Sequence, residues 1–312
     1  MHKGNPKRGG IEVKKNNRSV SERRDRMLGV ATGLPAIILL CIFTVYPVFY
    51  LIYRSLFDGS LISPKKRFVG LDNYVEILSS ETFHKVLMNT IIYTVLFVGL
   101  TMVLAIIIAV WLNGTRQKKL GNMVQACIFT PHVISMVSVS IVFLWLMEPD
   151  TGFFNMIITK LGLEKYPFLS SPNTAMISLV LVMVWKSVGY YVLLVMAALQ
   201  TVPKSIYEAA ELDNTSKFRT FFKITLPMIS PTILFTCVVA SIASFKIFDA
   251  VNVMTQGGPV DSTNTLVYYI YAYAFRLGKP GIACAAGVVL LVLVCIMTYV
   301  QFGVSKNKVH YQ

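Results

Sequence analysis

Long apolar runs dominate the chain, at about Gly29–Leu56, Val86–Asn113, Asn122–Met147, Thr174–Val202, Met228–Met254 and Pro280–Gly303. Each can cross a bilayer, which takes about 20 predominantly apolar residues. A buried soluble core would show shorter runs with polar residues interleaved. Only 14% of the 312 residues are charged, against about 25% in an ordinary soluble domain, and the runs are where charge is missing. Backbone groups in hydrocarbon have no water to bond, so each run must satisfy its own and is expected as a helix. The alternating segments of an outer-membrane barrel are not seen. The expected fold is all-α integral membrane, with about six transmembrane helices in one domain, 29–303. A basic tail, 1–28, precedes it, disordered until its last turn, and a short tail, 304–312, follows.

Lys and Arg set the orientation. The stretch before Leu28 holds nine: Lys3, Lys7, Arg8, Lys14, Lys15, Arg18, Arg23, Arg24 and Arg26. Arg116, Lys118, Lys119, Lys204, Lys217, Arg219, Lys223, Lys306 and Lys308 bring that face to eighteen, against eight on the other. Both termini are therefore expected in the cytoplasm. The net charge of +14 is then mainly a topology signal, and the basic tail has no folded companion that would suggest nucleic-acid binding. The first apolar run exceeds the 7–15 residues of a signal peptide and reads as an uncleaved helix.

Catalytic and metal patterns are missing. There is no phosphate-binding G-x-x-x-x-G-K-[ST], no H-E-x-x-H and no G-x-S-x-G. Cys41, Cys127, Cys237, Cys284 and Cys295 all fall inside apolar runs without metal spacing, and His2, His84, His132 and His310 are scattered. His132, after Pro131, reads as a packed or pore-facing side chain.

One polar segment interrupts the oily chain: EAAELDNTSKFRTFFKITLP, 208–227. Pro203 suits a first helical turn, and Ser205 with Glu208 has capping-box spacing. Ala209 and Ala210 are small and permit another surface to approach. Asn214 tolerates the left-handed conformation that ends helices. Phe218, Phe221, Phe222 and Ile224 then alternate with Lys217, Arg219 and Lys223 in a second amphipathic piece, closed by Pro227. A short helix–turn–helix on the cytoplasmic face, shaped for docking rather than solvation, is the expectation for 203–227.

Those residues resemble the cytoplasmic EAA loop of permease subunits of binding-protein-dependent ABC importers: Glu208-Ala209-Ala210, then Ile224-Thr225-Leu226-Pro227, with Asn214 where the family usually has Gly. FVGLDNY (68–74), FDAVNVMTQGGPVDSTNTLVYYIYAYAF (248–275) and the closing KVHYQ are similar to the carbohydrate branch, the maltose and glycerol-3-phosphate permeases. The resemblance runs from about Leu28 to the C-terminus. It implies a type I ABC importer permease fold in a bacterial plasma membrane. Its partners would be a second permease subunit (a heterodimer), two ATP-binding subunits carrying ATP and Mg, an extracellular solute-binding protein and membrane lipid. This chain itself would hold no cofactor or metal and hydrolyse nothing. Glu208, Ala209, Ala210, Asp213, Asn214, Leu226 and Pro227 would couple to an ATPase.

Substrate residues are less clear. Lys186 and Lys246 lie within apolar runs, where an ionisable group is a functional candidate by default. Lys246 is three residues from Asp249, so a structural ion pair is the other reading. Tyr190, Tyr191, Asn252 and Gln256 are candidates to line a polar pathway, by stacking on sugar C–H faces or bonding hydroxyls; interfacial anchoring competes for the tyrosines. Gln256, Gly257, Gly258 and Pro259 either meet the binding protein or simply make a turn. A secondary transporter would show intramembrane acidic relays or broken-helix repeats, a peptide permease would lack the Gly-Gly-Pro loop, and a membrane enzyme would need a catalytic cluster. The cargo reads as a mono- or oligosaccharide, with glycerol-3-phosphate the alternative.

Overall fold

The computed structural model describes residues 14–60, 66–114 and 118–306. In chain order the elements are α1 Lys14–Leu40, a π turn Cys41–Val45, α2 Tyr46–Ser55, β1 Phe57–Asp58, β2 Arg67–Phe68, α3 Asp72–Leu78 and α4 Glu81–Asn113. Next come α5 Lys118–Val133, α6 Met136–Leu146, α7 Phe153–Lys160, α8 Pro172–Gln200, α9 Lys204–Leu212 and α10 Lys217–Thr220. A π turn Phe221–Thr225, α11 Leu226–Phe245, a π turn Val251–Thr255, α12 Leu266–Tyr271, a π turn Ala272–Arg276 and α13 Pro280–Lys306 complete the chain. Helix dominates as expected; β1 and β2 form only a two-residue antiparallel ladder, Phe57 opposite Phe68.

Two compact units are present, residues 1–53 and 54–312. The first is helical from Lys14, so the helix begins well before the last turn of the basic tail, where order was expected. Residues 1–13 and 307–312, which carry part of the basic tail and the closing motif, lie outside the described residues.

In the second unit α4 and α8 form the central pair. Tyr93, Phe97, Ala105 and Ala109 of α4 and Leu179, Val182, Val192 and Val195 of α8 are buried in one cluster. The alanines, four residues apart, lie on one helix face and let a neighbour approach. A second cluster joins Ile77, Phe83 and Val86 to Leu266, Tyr269, Ile282 and Ala286. Large apolar side chains elsewhere point outward, among them Val95, Val103, Ile107, Leu181 and Phe235, as lipid-facing helices require.

By length and apolarity, five helices among the described residues can cross a membrane, or six if one bent pair counts as a span. That pair corrects the sequence reading. The run at 122–147 is not one rod: it breaks between α5 and α6 and turns by 96°. The run at 228–254 also differs. Its helix starts earlier and stops earlier, at Lys217–Phe245, and residues after Phe245 leave the helix before the next π turn.

Two of the π turns share a cause. Cys41–Val45 precedes Tyr46-Pro47, and Phe221–Thr225 precedes Leu226-Pro227. Proline supplies no N–H and its ring crowds the carbonyl four residues back. A turn widened to a five-residue step, with Leu226 N–H bonded to Phe221 O, carries the helix past it.

Candidate functional site

The hairpin at 203–227 is built largely from backbone geometry. α9 starts after Pro203, which sits at the N-cap and offers no side-chain cap. Pro203 is thus one position earlier than expected, and Ser205 and Glu208 lie inside the helix. The far end closes as the sequence suggested: Asn214 takes φ +50. Its N–H donates to Glu211 O at 3.0 Å, and Thr215 N–H donates to Ala210 O at 3.0 Å. That paired pattern satisfies carbonyls that a helix end leaves free. Ser216 caps α10, its hydroxyl accepting from Arg219 N–H at 3.4 Å.

Pro227 does not close the second limb. α10, the π turn and α11 run on as one helix, Lys217–Phe245, with Leu226 and Pro227 half-buried inside it. Side-chain directions also differ from the simple expectation. Ala210 is buried, and Thr225 donates to Tyr207 OH at 3.3 Å beneath it. Glu208, Ala209, Asp213 and Asn214 are exposed, and Leu212 is 85% exposed. Only one alanine of the pair therefore faces outward. A cavity of about 300 Å³ lies in the crook of the hairpin, lined by Tyr207, Ala210, Glu211 and Thr215 with Val110 and Asn113 at the end of α4.

The second site is the break in the third span. α5 contains Pro131 and ends at Val133; α6 restarts at Met136 after extended Ser135. A helix end at membrane depth leaves carbonyls that lipid cannot bond. Lys186, 9% exposed in mid-α8, supplies them: its Nζ lies 3.1 Å from His132 O and 3.5 Å from Pro131 O. A cation also suits the negative end of a helix. The approach is close because Gly189 has no side chain; a Cβ there would lie 2.1 Å from Ile128 O. The His132 ring stacks on Tyr190 at 4.9 Å and 12°. Lys186 and Tyr190 thus meet at one place, whereas Tyr191 is buried in the core at 3% exposure.

The remaining pathway candidates follow α11. Lys246 is the C-cap of α11 rather than part of its interior, and Lys246 and Asp249 are both exposed. They do not pair: the ion pairs among the described residues are Lys165–Asp150 and Lys279–Glu76. The structural ion pair is therefore set aside. Asn252 instead faces Arg276, with Oδ1 at 3.5 Å from Nη2. Arg276 donates to Tyr268 OH at 2.9 Å and lies over the Tyr268 and Tyr271 rings at 5.6 and 5.7 Å, within cation–π range. Sequence reasoning missed Arg276 because Tyr268 lies about two helical turns away and Asn252 lies across the loop. α6 packs against the π turn Val251–Thr255, which joins this region to the broken span.

The loop after that π turn, which carries Gln256–Pro259, is more than a turn. Asn89 of α4 donates to Asp261 O at 2.7 Å and to Asn264 O at 3.1 Å, and Lys85 donates to Val260 O at 2.6 Å. Leu266 N–H donates to Thr90 Oγ1 at 2.9 Å. Thr263 donates to Gly258 O at 2.6 Å and lies 2.8 Å from Thr255 Oγ1. Gln256, Val260 and Asp261 all take positive φ. Gly257, at φ +84, is buried; a Cβ there would sit 3.0 Å from the Tyr268 ring. Of the four residues read as binding-protein contacts, Gln256 is exposed, Gly258 and Pro259 are half-exposed, and Gly257 serves the loop's own packing.

Residues 101–309 match the family described as the binding-protein-dependent transport system inner membrane component. The chain is 32% identical to a probable ABC transporter permease protein of Bacillus subtilis (strain 168), covering 88% of this chain and 94% of that one. It is 32% identical to the sulfoquinovosyl glycerol transport system permease protein of Agrobacterium fabrum, covering 91% and 92%. It is 33% identical to the lactose transport system permease protein of Rhizobium radiobacter, covering 88% and 92%. Among solved structures, a bacterial alginate ABC transporter in complex with an alginate pentasaccharide-bound periplasmic protein aligns with TM-score 0.81. That match has 25% identity and covers 91% of this chain and 96% of the other.

Proposed function

Because the chain belongs to the binding-protein-dependent transport system inner membrane components, we propose that it is the permease subunit through which an ABC importer takes up a mono- or oligosaccharide. The observation that carries the cargo class is the set of relatives, permease proteins for lactose and for a sulfoquinovosyl glycerol. Cargo would arrive on an extracellular solute-binding protein. A second, non-identical permease subunit would complete the pathway, and two ATP-binding subunits would bind ATP and Mg and hydrolyse the ATP. Both termini and the hairpin would face the cytoplasm, a placement that the distribution of Lys and Arg supports.

The hairpin supports this mechanism physically. α9 is short, closed by a hydrogen-bonded turn, and displays Glu208, Ala209 and Leu212 outward. ATP would draw the ATPases together, and α9 would pass that displacement through the turn into the Lys217–Phe245 helix. Two access states would then exchange by rigid-body motion, with ATP biasing them because one state binds it better. Lys186 is committed to the carbonyls of the broken span. This weakens it as an anion ligand and favours a neutral sugar.

Glycerol-3-phosphate is the second reading. It is favoured by 32% identity to the sn-glycerol-3-phosphate permease protein of Agrobacterium fabrum, covering 89% of this chain. The test is a thermal-shift screen of the cognate binding protein across neutral sugars and glycerol phosphates. ATPase stimulation in the reconstituted importer is measured alongside. A neutral sugar is expected to do both; a response to glycerol phosphates alone would overturn the sugar assignment. Impermeant labelling of a Thr215→Cys variant on intact cells tests the orientation, and labelling there would reverse it.

A further inference from the structure

We propose that the two limbs of the inner hairpin have different partners. In this division the second limb, α10 with its π turn, anchors in the headgroup layer of anionic lipid. The first limb alone meets the ATPase. The inference rests on the permease reading only in naming the ATPase as the rival occupant of this surface.

Charge separates the limbs. α9 and its cap hold Glu208, Glu211 and Asp213 against Lys204. The second limb holds Lys217, Arg219 and Lys223, all exposed, and no Asp or Glu occurs anywhere from Lys217 to Phe245. Between those bases two large rings are bare. Phe218 is 75% exposed and Phe222 49%, four residues apart on one face, with centroids 4.6 Å apart.

Length places this face. The helix Lys217–Phe245 has 29 residues, about 43 Å at about 1.5 Å per residue. A bilayer is about 30 Å across its hydrocarbon and about 40–45 Å with its headgroup layers. The helix therefore fills the full thickness, and about its first turn falls among headgroups, which brings Phe222 to the acyl boundary. Aromatic rings with Lys and Arg beside them suit that layer. The rings enter the acyl boundary while the long basic side chains reach lipid phosphates. The three bases complement an anionic leaflet, and the limb's position is set by the spanning helix it begins. The acidic first limb lies outside that helix, in α9, and packs on it through Tyr207 and Ala210, leaving Glu208, Glu211 and Asp213 exposed.

The test uses the assembled importer in nanodiscs. Single cysteines replace Phe218, Phe222 or Ala209 in a chain whose native cysteines are serine, and each carries a bimane label. Labels at 218 and 222 are expected to be quenched by lipids bearing a quencher near the headgroup, with or without the ATPase subunits. The label at 209 is expected to respond to the ATPase and not to the lipid. A second arm replaces Lys217, Arg219 and Lys223 together by Gln. The unaltered complex is expected to be several-fold more active in phosphatidylglycerol-containing than in phosphatidylcholine discs, and the triple variant to lose that preference while still assembling. Labels at 218 and 222 that ignore lipid quenchers, or that are shielded by the ATPase, overturn the proposal, as does a triple variant that keeps the lipid preference. Failure of the label at 209 to sense the ATPase, in a labelled chain that still co-purifies with the ATPase subunits, would count against the permease reading instead.

Discussion

The hairpin at 203–227 and the loop at 256–265 are the two polar interruptions flanking α11, and they are held by opposite means. The hairpin closes on its own backbone, through Asn214 and the bonds to Glu211 O and Ala210 O, and leaves Glu208, Ala209, Leu212, Phe218 and Phe222 exposed. The loop is held by side chains, three of them from α4: Asn89, Thr90 and Lys85, with its own Thr263, hold its backbone. A locally closed element can present a surface to a partner. A loop pinned by a distant helix moves with that helix. The broken third span belongs with that loop, since Lys186 satisfies its freed carbonyls from another helix.

If this contrast is right, removing a distant donor should cost far more than altering the hairpin's surface. The largest effect is expected for Asn89→Leu. It leaves two loop carbonyls without their donor, at about 2–3 kcal/mol for buried groups, read as a lowered melting temperature of the purified chain. An unchanged melting temperature would break the comparison. Lys186→Met should lose a similar amount, roughly 2 kcal/mol, by orphaning the α5 carbonyls; Lys186→Arg should recover part of it. Retained transport with Lys186→Met would show that the break holds without its donor. Gly257→Ala follows at about 1–2 kcal/mol, from the left-handed backbone and the Tyr268 ring. Surface changes on the first limb should behave differently. Ala209→Glu or Glu208→Lys is expected to weaken ATPase co-purification about tenfold, about 1.4 kcal/mol, with no change in melting temperature. The smallest effect is expected for Asn214→Gly. The turn already adopts the conformation glycine prefers, so stability should move by less than about 0.5 kcal/mol.

Much of this was legible from the chain. The apolar runs gave four of the spans closely, and Asn214 was identified as the left-handed turn residue from its chemistry alone. Local rules failed where a neighbour intervened. Pro227 looked like a helix stop, but a π turn takes the helix past it. Ala210 looked available for docking, but the crook of the hairpin buries it. Lys246 and Asp249 have ion-pair spacing along a helix, but α11 ends at Phe245 and separates them from that geometry.

Composition and run length were enough to determine a membrane protein of about six helices with one amphipathic polar hairpin, because hydrocarbon forces each span to satisfy its own backbone. The break at 134–135 and the pinned loop after Thr255 were decided only in three dimensions. Their backbone groups are satisfied by Lys186, 54 residues from His132, and by Asn89, 172 residues from Asp261. Periodicity along a chain carries no record of a partner that distant.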